Sequence, residues 1–232
     1  MTTLTRDQVL HIIEAAHVNG EIPKFFGADL TQTEFRRAQQ DKATLSEADF
    51  HRARLSGAEL VQVDLGGVDF HGAGLVGANL SEADLFMANL SNVDLFMANL
   101  SNANLSSANL IGAKLFKANL TQASLYRADC SQANLSLANL SLANLGQVKL
   151  GQANLKGANF NQTCLTGADL RGADLSNADL SSADLRQANL KQAILNHANL
   201  DGADLREARY DQATIWPASF FAPILRGAIC ED

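Results

Sequence analysis

Residues 78–102 read Ala78-Asn79-Leu80-Ser81-Glu82, Ala83-Asp84-Leu85-Phe86-Met87, Ala88-Asn89-Leu90-Ser91-Asn92, Val93-Asp94-Leu95-Phe96-Met97 and Ala98-Asn99-Leu100-Ser101-Asn102, five pentapeptides in one register. The register extends far beyond this stretch. From Leu30 to Ile215 every fifth residue is a bulky apolar centre, with Gln40 and Cys130 the two departures among 38. The residue two places before each centre is Ala in all but six, the exceptions being Thr33, Val63, Val68, Val93, Val148 and Thr163. No residue interrupts the count, so the reading predicts one unslipped array ending at the centres Tyr210 and Ile215.

A period of five excludes the ordinary elements. On an α-helix five residues turn through roughly 500°, so successive leucines step around the axis and share no buried face. In a flat strand the side-chain period is two, and an odd repeat sends alternate leucines to opposite sides. What remains is an inward spacing of two then three, as in Ala28, Leu30, Thr33, Phe35. That pattern fits a short extended piece followed by a corner that turns the next centre back to the same interior. The chain coils around its own leucines.

Tandem Ala-(Asp/Asn)-Leu-x-x, as in Ala78-Asn79-Leu80-Ser81-Glu82 and Ala173-Asp174-Leu175-Ser176-Asn177, resembles the pentapeptide repeat proteins over about residues 23–217. The resemblance implies an all-β solenoid, a right-handed quadrilateral β-helix with four pentapeptides to each coil of 20 residues. The recurrence of Asp49-Phe50-His51 as Asp69-Phe70-His71, and of Phe96 as Phe116, gives independent support for 20. Each coil then stacks its four centres on those above and below, and burial at ~25 cal/mol per Å² makes the core the main source of stability. Small Ala at the second inward position is steric, since four bulky centres fill a narrow interior.

The two ends of such a rod need caps. Thr5-Arg6-Asp7-Gln8 fits a capping box, Val9, Ile12, Ile13 and Ala16 share one helical face, and Asn19-Gly20 supplies a stop, which predicts a capping helix over about 6–18 within a cap of residues 1–22. The β-helix is assigned to 23–217. Residues 218–232 leave the repeat, and Trp216, Phe220, Phe221, Ile224 and Leu225 make an apolar C-terminal cap that could also join two rods end to end. Caps and array form a single domain over 1–232.

The 232 residues carry a formal charge of −7, with no apolar run long enough to span a bilayer and no leader pattern at the first residues, so the expectation is a cytoplasmic protein off the membrane. Three cysteines give no disulfide framework: Cys130 is a core centre, Cys164 points outward and Cys230 lies in the tail.

Function must come from the outward columns. Asp169, Asp174, Asp179 and Asp184 surround one coil, but short Asp and Asn side chains at this position bond local backbone rather than act as an acid and base pair. No Ser-His-Asp spacing, phosphate-cradling glycine loop or Cys-x-x-Cys is present, so no catalytic residues and no cofactor are expected. Asn79, Asn99, Asn119, Asn139, Asn159 and Asn199, with Asp179 among them, fall 20 apart and should form a ladder. Asp49, His51, Asp69 and His71 make a small outward square, a low candidate for a zinc-like ion.

The most distinctive outward feature is apolar. Phe96 and Phe116 should stack on adjacent coils, with Val76 below and Met97 and Leu137 in the neighbouring column; Phe86, Met87 and Tyr126 lie on the opposite face. Charge separates two kinds of partner. Relatives thought to protect DNA gyrase as DNA mimics need acidity along the rod, whereas from residue 85 to 168 the only acids are Asp94 and Asp129, against Lys114, Lys117, Arg127, Lys149 and Lys156. No continuous basic stripe favours direct nucleic-acid binding. The sequence therefore points to a non-enzymatic rod, a monomer or an end-to-end homodimer, that binds a protein partner through Val76, Phe96, Met97, Phe116 and Leu137. A topoisomerase-directed DNA mimic is the runner-up, and metal binding at the Asp/His square comes third.

Overall fold

The computed structural model describes residues 4–31, 45–218, 220 and 227–231. Thr33, Phe35 and Gln40 of the repeat, and Phe221, Ile224 and Leu225 of the tail, lie outside the described residues. The rest is a right-handed quadrilateral β-helix whose rungs are parallel bridges between residues 20 apart, from Asp49 with Asp69 through Asp184 with Asp204. The bridging residue is always the one before the centre, and the centre and the residue two before it face inward. From Leu45 to Leu195 every centre is buried, and so is every residue two places before a centre from Ala48 to Ala193.

A mid-rod pentapeptide with Asp or Asn before its centre pairs all five of its backbone N–H groups, which explains that spelling residue by residue. Around Leu80, the Asn79 amide donates to Ala58 O at 2.9 Å and the Leu80 amide to Asn99 O at 2.7 Å, tying the coil to its two neighbours. The Glu82 amide donates to Ser101 O at 2.9 Å, and the Ala83 amide closes the corner onto Leu80 O at 3.1 Å. The remaining amide, that of Ser81, has no backbone acceptor and donates to the Asn79 side-chain Oδ1 at 3.3 Å. Asp or Asn precedes the centre because its short side chain reaches that one orphan.

The corner also constrains its second residue. Among the described residues all 24 non-glycine residues with positive φ lie at the second place after a centre, with φ between 54° and 61°. That is the left-handed conformation a type II turn demands of its third residue. None of the 24 is Val, Ile or Thr, whose branched Cβ crowds that region most.

Helix α1 spans Arg6–Val18 with the expected capping box: Thr5 accepts from the Gln8 amide and Gln8 accepts from the Thr5 amide. Val9 and Ile13 are fully buried, Ile12 packs beside them, and the face closes the first coil, where Phe25, Phe50 and Phe70 stack inside with ring centroids 4.7 and 5.1 Å apart.

The expected unbroken register is corrected at both ends. Lys24 bridges Asp49 and Asp29 bridges Arg54, so the first bridged pairs are 25 residues apart rather than 20, a difference invisible to a count by fives. At the far end Ile194 bridges Ile215, a coil of 21. Asp211 causes the slip. Its Oδ1 accepts from the amides of Gln192 and Ala213 and from the Thr214 hydroxyl, widening the corner by one residue. Thr214 takes the inward seat and donates to Leu190 O at 2.9 Å, much as Thr163 donates to Leu140 O at 2.7 Å. Ile215, expected as a core centre, moves to the outward bridging place and is 46% exposed. The tail does not stay outside the repeat either. Gly227 takes the left-handed corner (φ 80°), Ala228 the buried inward seat, and β2 (Ile229–Cys230) pairs in parallel with β1 (Arg209–Tyr210). This short return covers part of the last open edge.

Candidate docking surface

Each corner presents two outward columns, one from each residue after the centre. On the corner carrying the two phenylalanines, the first column runs Val76, Phe96, Phe116, Ser136, Lys156 and the second Gly77, Met97, Lys117, Leu137, Gly157. Phe96 and Phe116 stack with centroids 5.8 Å apart and planes 14° from parallel. Such offset pairs gain attraction beyond area burial, and they hold each other in place on the surface. Phe96 is 37% exposed, Met97 57% and Leu137 51%, with Val76 beside them. Leu137 extends over Gly157, where a Cβ would lie 2.8 Å from its Cδ2, while Gly74 and Gly77 leave open space at the other end of the strip. Lys117 places its ammonium 5.4 Å from the Phe116 ring centroid, a cation–π contact. Asp94 and Lys114 border the strip 3.9 Å apart, and Lys156 closes it, bonded to Asp174 at 3.0 Å. The far border is neutral: Asn119 donates to Asn99 and Asn99 to Asn79, each at 3.1 Å, while Asn139 leaves the run to donate to the Thr121 hydroxyl.

The other sequence candidates occupy separate places. Phe86 and Met87 are exposed two corners away, on the opposite side, but Ser106 and Ser107 follow them in their columns, so they do not reach Tyr126. Tyr126 instead lies against Gly146 and under the Arg127 guanidinium, 5.1 Å from its ring. The Asp/His square forms as columns rather than as a chelate. Asp49 and Asp69 spend Oδ1 on the amides of His51 and His71, Asp69 also accepts from Asn89, and His71 Nδ1 bonds Ser91 Oγ at 2.7 Å. The two imidazoles meet edge to face at 4.9 Å, with Phe26 against the outer one. Among the described residues no group of three His, Cys, Asp or Glu side chains is placed to hold a metal ion. At the C-terminal end Trp216 packs between Tyr210 and Phe220, with centroids at 5.4 and 5.3 Å.

A family model described as Pentapeptide repeats matches the chain in overlapping copies from residue 24 to residue 209. The chain belongs to the pentapeptide repeat family. Among solved pentapeptide repeat structures, HetL from the cyanobacterium Nostoc sp. strain PCC 7120, involved in heterocyst differentiation regulation, is 33% identical with a TM-score of 0.50. That match covers 88% of this chain and 96% of HetL. QnrB1, a plasmid-mediated fluoroquinolone resistance protein, is 19% identical with a TM-score of 0.62 over 90% of this chain and 92% of its own, a likeness of fold alone. No curated protein matches. In a pentapeptide repeat protein the interior dictates two positions in five, so about two-fifths identity can arise from the core. Outward columns must carry any kinship of function.

Carboxylates along this pentapeptide rod are set by structure. The Arg186 guanidinium holds the Asp184 carboxyl down at about 2, with the Arg186 amide and Thr166 hydroxyl adding to it. Arg171 and Arg206 lower Asp169 and Asp204 in the same way. Burial pushes the Cys130 thiol far up, as befits a core centre. Lys117 is the docking-strip residue that reading by apolar pattern missed; reading the chain in twenties, column by column, places it between Met97 and Leu137. No helix among the described residues is long and apolar enough to cross a membrane.

Proposed function

We propose that this pentapeptide repeat protein is a non-enzymatic rod that works by protein contact, and that its docking face is the corner bearing Val76, Phe96, Met97, Phe116 and Leu137. One observation carries the reading: two stacked, partly exposed phenylalanines with apolar neighbours at successive coils, a longer apolar run than the exposed Phe86 and Met87 pair or the isolated Ile111 and Leu142. Aromatic and Met side chains concentrated in one patch are what protein interfaces enrich. The likeness to HetL, a protein involved in heterocyst differentiation regulation, supports a regulatory role. The DNA-mimic alternative requires acidity along the rod, and at mid-rod Asp94 and Asp129 are each spanned by a lysine, Lys114 at 3.9 Å and Lys149 at 3.2 Å. The proposal places the protein in the cytoplasm. Affinity capture from host lysate with wild type beside Phe96→Ser/Phe116→Ser tests it: proteins retained by wild type and lost by the variant are expected, and an unchanged profile would remove this face from consideration.

A further inference from the structure

We propose that the partner received by the Phe96/Phe116 corner is a second copy of this chain, laid antiparallel against the first. The inference rests on that corner being a docking face and adds the occupant. Two facing copies related by a two-fold axis must have that axis in the contact plane. If the axis runs across the rods, each column meets its own counterpart with coil order reversed. Centred between the coils of Phe96 and Phe116, this operation sets Phe96 against the second copy's Phe116. It also sets Asp94 against the second copy's Lys114, and the reverse, with the second copy's Lys117 arriving beside Asp94 at Met97.

Shape follows the same symmetry. Leu137, half exposed and lying over Gly157 of its own column, meets the second copy's Gly77, around which nothing lies within 4 Å of a would-be Cβ; Gly74 is equally open. Each copy offers one knob and one hollow. Asn99 meets the second copy's Asn119 on the neutral flank. No like charges face one another, although the chain as a whole carries −7.

The parallel arrangement is disfavoured by the same residues. An axis along the rods, centred on the phenylalanine column, brings Lys114 against the second copy's Lys117 on both sides. Charge therefore selects antiparallel pairing, a use of electrostatics for orientation. The strip covers about four coils at ~4.8 Å each. That is less than the ~800 Å² per partner of a standard interface, so a weak dimer is expected, seen at roughly 100 µM.

Sedimentation velocity on the intact chain tests this with two charge-reversed variants, Asp94→Lys and Lys114→Asp. Wild type should sediment at twice 24.8 kDa at high concentration. Each variant alone should be monomeric, because reversal sets like charges face to face, and an equimolar mixture of the two should regain a dimer in which every pair is opposite in sign. Gly77→Gln should also weaken wild-type dimerisation at least tenfold by filling the hollow, with folding kept because Gln62 and Gln122 hold the same corner place at φ 60°. A wild type that stays monomeric, or reversals that leave dimerisation intact, overturns the inference. If wild type is monomeric but lysate capture still depends on Phe96 and Phe116, the docking face stands without a second copy as occupant. If capture is unaffected as well, both readings fall.

Discussion

At the scale of the residue, the Asp or Asn before most centres adds a bond that no core leucine can make. A leucine centre is one of many, whereas the Asp or Asn side chain is the acceptor for an amide that the coil otherwise strands. Asn119 shows the full load: its Oδ1 accepts from the Thr121 amide at 3.1 Å and the Thr121 hydroxyl at 2.6 Å, and its Nδ2 donates to Asn99. Asn119→Ala should therefore destabilise the rod by about 1–3 kcal/mol in chemical denaturation, the cost of orphaning a partly buried donor. Asn119→Asp should cost less, since the acceptor is kept. The same geometry gives a pH dependence. Asp184 titrates at about 2 in the folded chain against an ordinary ~3.9 when unfolded. A depressed carboxyl contributes stability that is present above the unfolded value and is lost as pH falls through the folded one, here between pH ~4 and ~2. Thermal melts should show Asp184→Asn less stable than wild type at pH 7, with the difference closing as pH falls through that window because only wild type loses the ionised pair. An equal loss in both would mean that the Arg186 pair is too solvent-screened to matter.

At the scale of the element, the corner explains what the sequence makes legible and what it hides. The centres and the inward Ala announce the coil because burial admits few residue types, and the α1 boundaries follow from Thr5, Gln8 and Asn19-Gly20. The left-handed corner residue is legible too, but as an avoidance: Gln, Asn, Gly, Met and charged residues recur there with no β-branched side chain. Such a gap is harder to notice than a recurring Leu. Gln122→Val should cost about 1–2 kcal/mol through strain at φ 60° alone, and Gln122→Gly should be neutral or stabilising, both measured by denaturant midpoint. The slips at the ends were not legible. A separation of 25 between the first bridged pairs is still a multiple of five, so no pattern of fives can reveal it. The one-residue slip at Ile215 depends on Asp211 gathering three donors, which the spelling Asp211-Gln212-Ala213-Thr214 does not distinguish from a repeat. The docking strip was legible as apolar residues 20 apart; its knob at Leu137 and hollow at Gly77 are matters of shape that only the coil displays.

Over the whole molecule, nearly every interaction is between one coil and the next, so stability should be close to a sum of coils and their interfaces. Removing a full coil ought then to subtract a term without destroying the rest, provided the four faces stay in register. Residues 161–180 are a suitable coil. Phe160 and Leu180 are centres in the same column, so the deletion would set Phe160 before Ser181 with every later column unmoved. The strip from Val76 to Gly157 would remain, and Lys156 would lose only its surface bond to Asp174. The shortened chain should fold cooperatively, melt at a somewhat lower temperature, and keep whatever capture or self-association depends on Phe96 and Phe116. Deleting residues 161–165 instead removes fewer contacts but turns everything beyond by one face, placing Arg186 and Arg206 on another side of the rod relative to the docking strip. If binding survives both deletions, the function resides in the strip alone. If only the five-residue deletion abolishes it while the fold persists, the partner must span the strip and the charged C-terminal coils together, and the rod acts as a ruler that fixes the angle between them.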